Sequence, residues 1–505
     1  MLPLPETLPK WYTVEPQKNR GWTPQTSDII RNNQNRDITN AWDGTFTPLP
    51  TKNATHTLKS LQVRTPIQVG GGSLPEGGIL PAQIGGVPVI PGSSVRGALL
   101  SWLNTIWATI PNDEQAFWQT LLQADHSGWQ PRKIRFETIW LRDLKPFPLH
   151  AQQKWQLFDE KSKQLGVQWQ VSPNPNTVNP DKFVLQVQLP QTPTPEQKAW
   201  LDNRLKEMLL QQGIGRGTAS GFGRLSEHTP QGKWQLTLTG MKPCVQNHVP
   251  KIKQTGEYRW SPQVLRANLR GYFHRLALSV LAPTQAQQLT DTIFGGLGCP
   301  AQLVLPSYIQ PILKTIKNDK VPKDGYANIP AKVAHEDWRI IVDCNDPFQD
   351  LIGHLLDLAS RLGGLGPGWR RPPHELERFN GFRGSKFSID DHTPDLDLAT
   401  LIKTLKSQIK RLAQANNLSI PKTPPKPAPG HIVSIWQAPP QQWWDIVHGV
   451  CSTQNSKKPA WCGSSERRPS GYAIRQYETH CLATVFDPAV EDTLKAHGFD
   501  RIWSP

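Results

Sequence analysis

The sequence predicts an α+β protein with two tandem ferredoxin-like domains, an arm before them and an extension after them. Three observations carry that expectation. The order strand, long loop, basic helix, strand, helix, glycine-rich loop occurs twice, each time over roughly 170 residues. Short runs of alternating apolar and polar residues are separated by stretches of helical spacing, as in an antiparallel sheet with helices on one face. Both halves also place an arginine early in the first helix. Val95-Arg96-Gly97-Ala98-Leu99 corresponds to Leu265-Arg266-Ala267-Asn268-Leu269.

Residues 1–53 are polar and rich in Asn, Thr and Pro, an extended arm without its own core. The first domain takes residues 54–232. Leu58–Val69 alternates like a strand, and a Gly/Pro loop follows to Ser94. Pro91 and Gly92 make a turn, and Ser93 or Ser94 can accept a hydrogen bond from a free helix amide. Val95, Ala98, Leu99, Trp102, Leu103 and Ile106 then form one apolar stripe. Phe183–Leu189 reads as a strand. The next helix is capped by Thr194 and ended by Gly213, where the loop GIGRGTASGFGRL begins.

The second domain takes residues 233–393. Trp234–Val245 reads as a strand and is followed by a basic loop. Ser261-Pro262 opens a helix whose stripe is Leu265, Leu269, Tyr272, Phe273, Leu276 and Val280. Arg266 and Arg270, four apart, share another face. Asp337–Cys344 is a strand, FQDLIGHLLDLASRLGG a helix, and GLGPGWRR a second glycine loop. In the extension, 394–505, DLATLIKTLKSQIKRLAQANN reads as a basic helix and Pro421–Gly430 as a linker or rigid loop. The stretch beyond, with Trp443-Trp444, shows no clear pattern, and 394–505 reads either as a third domain or as an extension folded on the second unit.

The chain has 505 residues and a net charge of +15, from 56 Lys+Arg against 41 Asp+Glu, which favours a polyanionic partner such as nucleic acid. No run of about 20 apolar residues exists, so no membrane span is expected. No basic-then-apolar leader opens the sequence. The six cysteines form no C-x-x-C pair, which argues against a closed zinc site and for reduced thiols in the cytoplasm. Cys451, Cys462, His480 and Cys481 share a region, but at no standard ligand spacing.

A cation in the first turn of a helix opposes the helix dipole, so Arg96 reads as answering to an anion, and Gly97 as permitting close approach. The glycine loops expose backbone amides to phosphates, with Arg216 and Arg224 in the first and Arg370, Arg371, Arg383 and Lys386 in or near the second. Neither is a Walker loop, since no GKS or GKT follows. Neither is a Rossmann turn, since the glycines follow a helix. Trp102 reads as core; Trp260 and Trp369, beside arginines, could stack on bases or be partly buried.

These residues carry a resemblance. IPGSSVRGALLSWL resembles the loop-to-helix motif of the RAMP superfamily, in particular Cas7-like backbone subunits of type III CRISPR effectors. GIGRGTASGFGRL is similar to that superfamily's glycine-rich loop. LRANLRGYFHRLALSVL with TDTIFGG, and GTFTPLP before the first strand, are similar to segments of other members. Together these cover roughly residues 44–390, as in fused, type III-D-like subunits.

The resemblance implies two Cas7-like units with loop and β-hairpin thumb insertions. They would bind guide RNA (crRNA) through its backbone while the guide pairs with target RNA in antiviral defence. Ser93, Ser94, Arg96 and Gly97 would meet phosphates, as would Gly213, Gly215, Arg216, Gly221, Gly223 and Arg224. The second unit would use Arg266, Arg270, Gly364, Gly366, Arg370, Arg371, Arg383 and Lys386. Cas10-, Cas5-, Cas11- and Cas7-like subunits would be its neighbours, with no membrane.

Catalytic members cut target RNA with an Asp in the loop before the first helix. The loop from Gly70 to Ser94 has no Asp and only Glu76; the second, from Gln246 to Gln263, has only Glu257. Asp28, Asp37 and Asp43 lie in the arm. Holding RNA, which needs no cofactor, is therefore favoured over cutting it. Cutting would need magnesium, with Glu76, Asp43 and Glu257 as the candidate acids. A guide-processing ribonuclease is a further alternative. It would draw on His248, Tyr258 and His274, but its glycine loop would be expected near the chain end.

Overall fold

The computed structural model describes residues 56–505 apart from 74–78, 123–132, 142–144, 150–167, 173–181, 228–231, 247–255, 311–316, 319–336, 377–380, 392–395, 453–456, 464–469 and a few single or paired positions. The arm with Asp43, and Glu76 and His248, lie outside the described residues. Described residues up to Glu227 form one compact unit and those from Gly232 onward another.

The first unit is built from β1 (His56–Val63), α1 (Gly92–Ile106), α2 (Asn112–Leu122), β2 (Arg135–Phe136), β3 (Lys182–Gln188), α3 (Pro195–Glu207) and β4 (Leu225–Ser226). The sheet order is β4-β1-β3-β2, antiparallel throughout, which is the ferredoxin-like βαββαβ plan with α2 added. Leu58 faces Leu185, and Leu61 faces Phe183. Their side chains join Val95, Leu99 and Leu103 of α1 and Leu201 and Leu205 of α3 in one core. Each such fully buried side chain contributes about 1.5–3 kcal/mol. The Thr194 hydroxyl accepts from the Gln197 amide at 3.2 Å, and the Gln197 side chain accepts from the Thr194 amide at 3.1 Å, so the expected cap is a full capping box. Buried Glu114 on α2 takes both Nε (2.7 Å) and Nη2 (2.9 Å) of Arg204 on α3. That hydrogen bonding holds the guanidinium pKa above its ordinary value.

Two expectations for this unit change. The Gly/Pro loop contains strands, among them Gly70–Ser73 paired with Ile79–Pro81 and Val87–Ile90 paired with Ile139–Trp140. They are too short to leave a periodic signal. Helix α1 starts at Gly92, with Pro91 at the N-cap and no side-chain cap, so Ser93 and Ser94 lie inside the first turn. The reason is steric. A Cβ on Gly92 would sit 1.9 Å from the Phe136 carbonyl oxygen, so glycine lets the helix begin hard against β2.

The second unit repeats the plan with β5 (Trp234–Gly240), α4 (Pro262–Leu278), α5 (Pro283–Phe294), β6 (Ser307–Gln310), β7 (Trp338–Val342), α6 (Gln349–Leu362) and β8 (Ser385–Ile389). Its sheet order, β8-β5-β7-β6, is the same. Ser261 stands at the N-cap of α4 as expected, but its hydroxyl makes no cap bond. The expected strand Trp234–Val245 is split: β5 ends at Gly240, and Cys244–Gln246 pairs instead with Gly256–Tyr258 from the expected basic loop, which places Glu257 on a strand opposite Val245 and Lys317. Helix α7 (Leu398–Ala415) follows, capped by Asp397, whose carboxylate accepts from the Thr400 amide at 3.0 Å.

The extension holds a third copy of the plan. β9 (Ser434–Ala438), β10 (Tyr472–Gln476), β11 (Cys481–Val485), α8 (Glu491–Ala496) and β12 (Asp500–Trp503) form a sheet of order β12-β9-β11-β10. A π-helical turn, Asp445–Val450, takes the place of the first helix. One sheet face packs on Trp443, Ile446 and Leu494; the other sends Ile435 and Ala473, with Phe486 beside them, into the core built around α4 and α6. No described helix is long and apolar enough to cross a membrane.

The cysteine expectation also changes. Cys451 and Cys462 form a disulfide, their Cα atoms 5.4 Å apart. Cys481 donates to the Pro439 carbonyl, His480 stacks on Tyr477, and no three His, Cys, Asp or Glu converge as metal ligands among the described residues. A bridge across 11 positions stabilises by about 3 kcal/mol in the chain-entropy account. Replacing both cysteines by serine is therefore expected to lower the urea midpoint of the third sheet and leave that of the first unit unchanged, as read by hydrogen exchange.

Candidate nucleic-acid interface

Helix α3 passes through a π-helical turn, Met208–Gln212, and stops at Gly213, whose φ of +76° turns the chain into the glycine loop. The loop is fastened to the exit of β1. Gly223 N–H donates to the Pro66 carbonyl (2.8 Å), Ile214 N–H to the Gly223 carbonyl (2.9 Å), and Arg224 N–H to Thr65 Oγ1 (2.9 Å). Gly223 has φ +62°, and a Cβ there would lie 1.9 Å from the Ile214 carbonyl oxygen, so glycine is required for the loop to close. Gly213, Gly221 and Gly223 are buried; Gly215, Arg216 and Gly217 form the exposed tip.

Between that tip and α1 lies a cavity of ≈310 Å3. Ser94, Gly97, Ala98 and Ser101 line it from the helix; Gln212, Gly213, Gly215, Arg216 and Thr218 line it from the loop; Val69 and Gly70 close the end. Hydroxyls, an amide and a guanidinium face it, and none of these lining residues is acidic. A Cβ on Gly97 would meet nothing within 4 Å, so no internal contact requires glycine there. Its lack of a side chain keeps the cavity edge low.

Five expected residues, Ser94, Gly97, Gly213, Gly215 and Arg216, are therefore brought together. Ser93 is exposed and Arg96 half-buried on the same helix, and neither lines the cavity. Arg224 is corrected. It is 2% exposed, and its guanidinium donates to the Gln211 carbonyl and, at 3.1 Å, to the Thr218 carbonyl, bracing the loop from inside. The sequence reading missed Ser101, Gln212 and Thr218. Ser101 was accessible to it, since 94, 97 or 98, and 101 repeat at helical spacing on one face.

Residues 60–226 match the RAMP superfamily. That match covers most of the first unit. The chain is also similar to the crystal structure of Cmr1 from Pyrococcus furiosus in its apo form, at 11% identity and a TM-score of 0.27, over 54% of this chain and 98% of that one. No curated protein matches it.

The second unit does not reproduce the first unit's cavity side chain for side chain. Arg266 is buried against Gly295 at the end of α5; burial, then repulsion from Arg270, lowers its pKa to about 10. Arg270 pairs with Asp291 of α5 at 2.6 Å. Both arginines expected at phosphates thus turn toward α5. Asn268, at the position of Ala98, bridges to the Gly364 carbonyl at 3.3 Å. Gly364 itself is packed, its Cβ position 2.1 Å from the Ser385 carbonyl oxygen, and Gly366 keeps φ +75°. Trp260 donates to Ser307 Oγ (3.0 Å) and Trp369 packs between Tyr272 and Phe486, so both are structural. Arg370, Arg371 and Arg383 are half-buried, and Lys386 is exposed on β8.

Proposed function

We propose that this chain is a guide-RNA-binding backbone subunit of a type III CRISPR ribonucleoprotein, holding the guide and its paired target. The observation that carries the reading is the first unit's cavity, within the residues that match the RAMP superfamily. Hydroxyls and a guanidinium from two elements converge on a space whose edge is kept low by Gly97 and whose loop is locked by Gly223. Such a surface grips a phosphate backbone without reading bases, as guide binding requires. The net charge of +15 adds long-range attraction for the polyanion. Other effector subunits, Cas10-, Cas5-, Cas11- and Cas7-like, are the neighbours such a subunit would have.

The deciding experiment is purification from the native host followed by sequencing of nuclease-protected RNA. Repeat-spacer RNAs support the reading; diverse or absent RNA overturns it. With the purified protein, Arg216→Ala is expected to weaken guide RNA binding about tenfold, the loss of a charge-assisted hydrogen bond of ~1.5 kcal/mol. The slope of log affinity against log salt should fall by about one, because one fewer counterion is released. An unchanged slope would remove Arg216 from the RNA contact.

A further inference from the structure

Beside the second unit's glycine loop, the third sheet contributes an aromatic platform. Trp443 is buried and anchored by Gln476 Oε1, which accepts its indole N–H at 3.0 Å. Its neighbour Trp444 is 43% exposed. The His448 ring lies against Trp444 with centroids 4.1 Å apart, and His374 meets both tryptophans edge-on at 5.1 and 5.7 Å. His374 Nδ1 donates to the Pro372 carbonyl (2.8 Å), and its Nε2 lies 3.1 Å from Nε2 of His448. The platform is therefore held from behind while Trp444 faces outward.

Arg371 and Arg383 lie near its histidines, and Lys458 lies near Arg371. Arg371 of the glycine loop is close enough to act on His374, His448 and Lys458. Arg383 stands opposite His374 in the short hairpin that follows. Lys458 lies in the loop closed by the Cys451–Cys462 disulfide, near Arg370 and Arg371. An exposed indole packed on histidines that have arginines nearby matches a chain that carries both π faces and phosphates. A protein surface offers acidic groups but not a regular run of planar rings.

We infer that Trp444 and His448, with Arg371 close to His448 and Lys458 close to Arg371, form a stacking site for an unpaired base of single-stranded RNA. Its residues are distinct from those lining the first unit's cavity. The inference rests on the RNA-binding reading and adds to it a subsite for an unpaired segment, built jointly by the second and third sheets. The two histidines are neutral at physiological pH, so the rings act as stacking surfaces and the charge comes from the flanking arginines and lysine.

The test uses the full-length protein and a 5-iodouridine-substituted single-stranded RNA. Ultraviolet crosslinking followed by peptide mapping should place a crosslink on the segment carrying Trp444. Trp444→Ala should abolish it and weaken binding by roughly 5- to 100-fold, the range for one base–aromatic stack. Trp444→Phe should retain most of the affinity, and Lys458→Glu should weaken binding with the aromatic rings intact. Arg216→Ala should leave the Trp444 crosslink in place. If RNA binds Trp444→Ala with unchanged affinity and crosslinks elsewhere, the stacking site is wrong while the RNA-binding reading stands. If the protein binds no RNA at all, both fall. If Trp444→Ala keeps RNA affinity but loses a co-purifying subunit, the platform is a protein interface and the inference is overturned.

Discussion

Gly223→Ala is expected to unfold the glycine loop of the first unit, whereas Gly97→Ala, at the edge of the cavity beside that loop, is expected to stabilise the protein. Gly223 has φ +62°, a conformation costing an L-residue about 1–2 kcal/mol. Its added Cβ would overlap the Ile214 carbonyl oxygen at 1.9 Å, so the Ile214–Gly223 hydrogen bond must also break. The total is about 3 kcal/mol or more, a large part of a domain's 5–15 kcal/mol. Gly97 is mid-helix with open space at its Cβ position, so alanine there gains about 0.5–1 kcal/mol of helix stability. The same methyl raises the floor where a phosphate would approach. Urea unfolding and RNA titration of both variants separate the roles: Gly223→Ala should lose stability and binding together, and Gly97→Ala should gain stability while binding weakens. A Gly97→Ala protein that is more stable and binds RNA unchanged would show that the ligand does not cross that edge.

Acidification is expected to destabilise the second unit through His374 and His448. Burial lowers both pKa values to about 4, with Arg371 and Arg383 adding to it at His374, and His374 and Arg371 at His448. The unfolded chain takes up protons near pH 6.5 and the folded pair does not. Between about pH 6.5 and 4 the unfolded state therefore binds more protons, and stability falls as pH falls. Protonation would also set N–H against N–H across the 3.1 Å contact. The slope approaches ~1.4 kcal/mol per pH unit for His374 and is smaller for the more exposed His448, the two titrating as a pair. For His374 alone, about 2–3 kcal/mol is lost across the window. Urea unfolding at pH 7, 6, 5 and 4.5, compared with His374→Phe, isolates this from carboxylate titration. Parallel curves for the two proteins would refute it.

Local chemistry was legible in the sequence. Thr194 followed by Gln197 announced a capping box, Gly213 a helix stop, and the stripe through Val95, Leu99 and Leu103 a buried helix face; each depends on residues within a few positions of one another. The two-fold repetition was legible for the same reason, since each element carries its own period. The third copy was hidden. Its sheet is covered on both faces, so β11 is buried at every position and shows no alternation, and its first helix is a short π-helical turn.

The residues of the site divide along the same line. Arg216 and Arg224 sit eight positions apart in one glycine loop, and sequence alone could not rank them. The fold set one at the open tip and drew the other inside onto the Gln211 and Thr218 carbonyls, because the loop closes on the exit of β1. Arg266 and Arg270 matched the basic helix pattern but turn toward α5, an element whose packing no local spacing reveals. By itself the sequence determined the elements, their order and a basic, glycine-rich chemistry, which follow from short-range preferences. Which cations face solvent, which brace a loop, and which aromatic rings meet across the second and third sheets was decided by the tertiary structure, because burial and contact depend on residues distant in the chain.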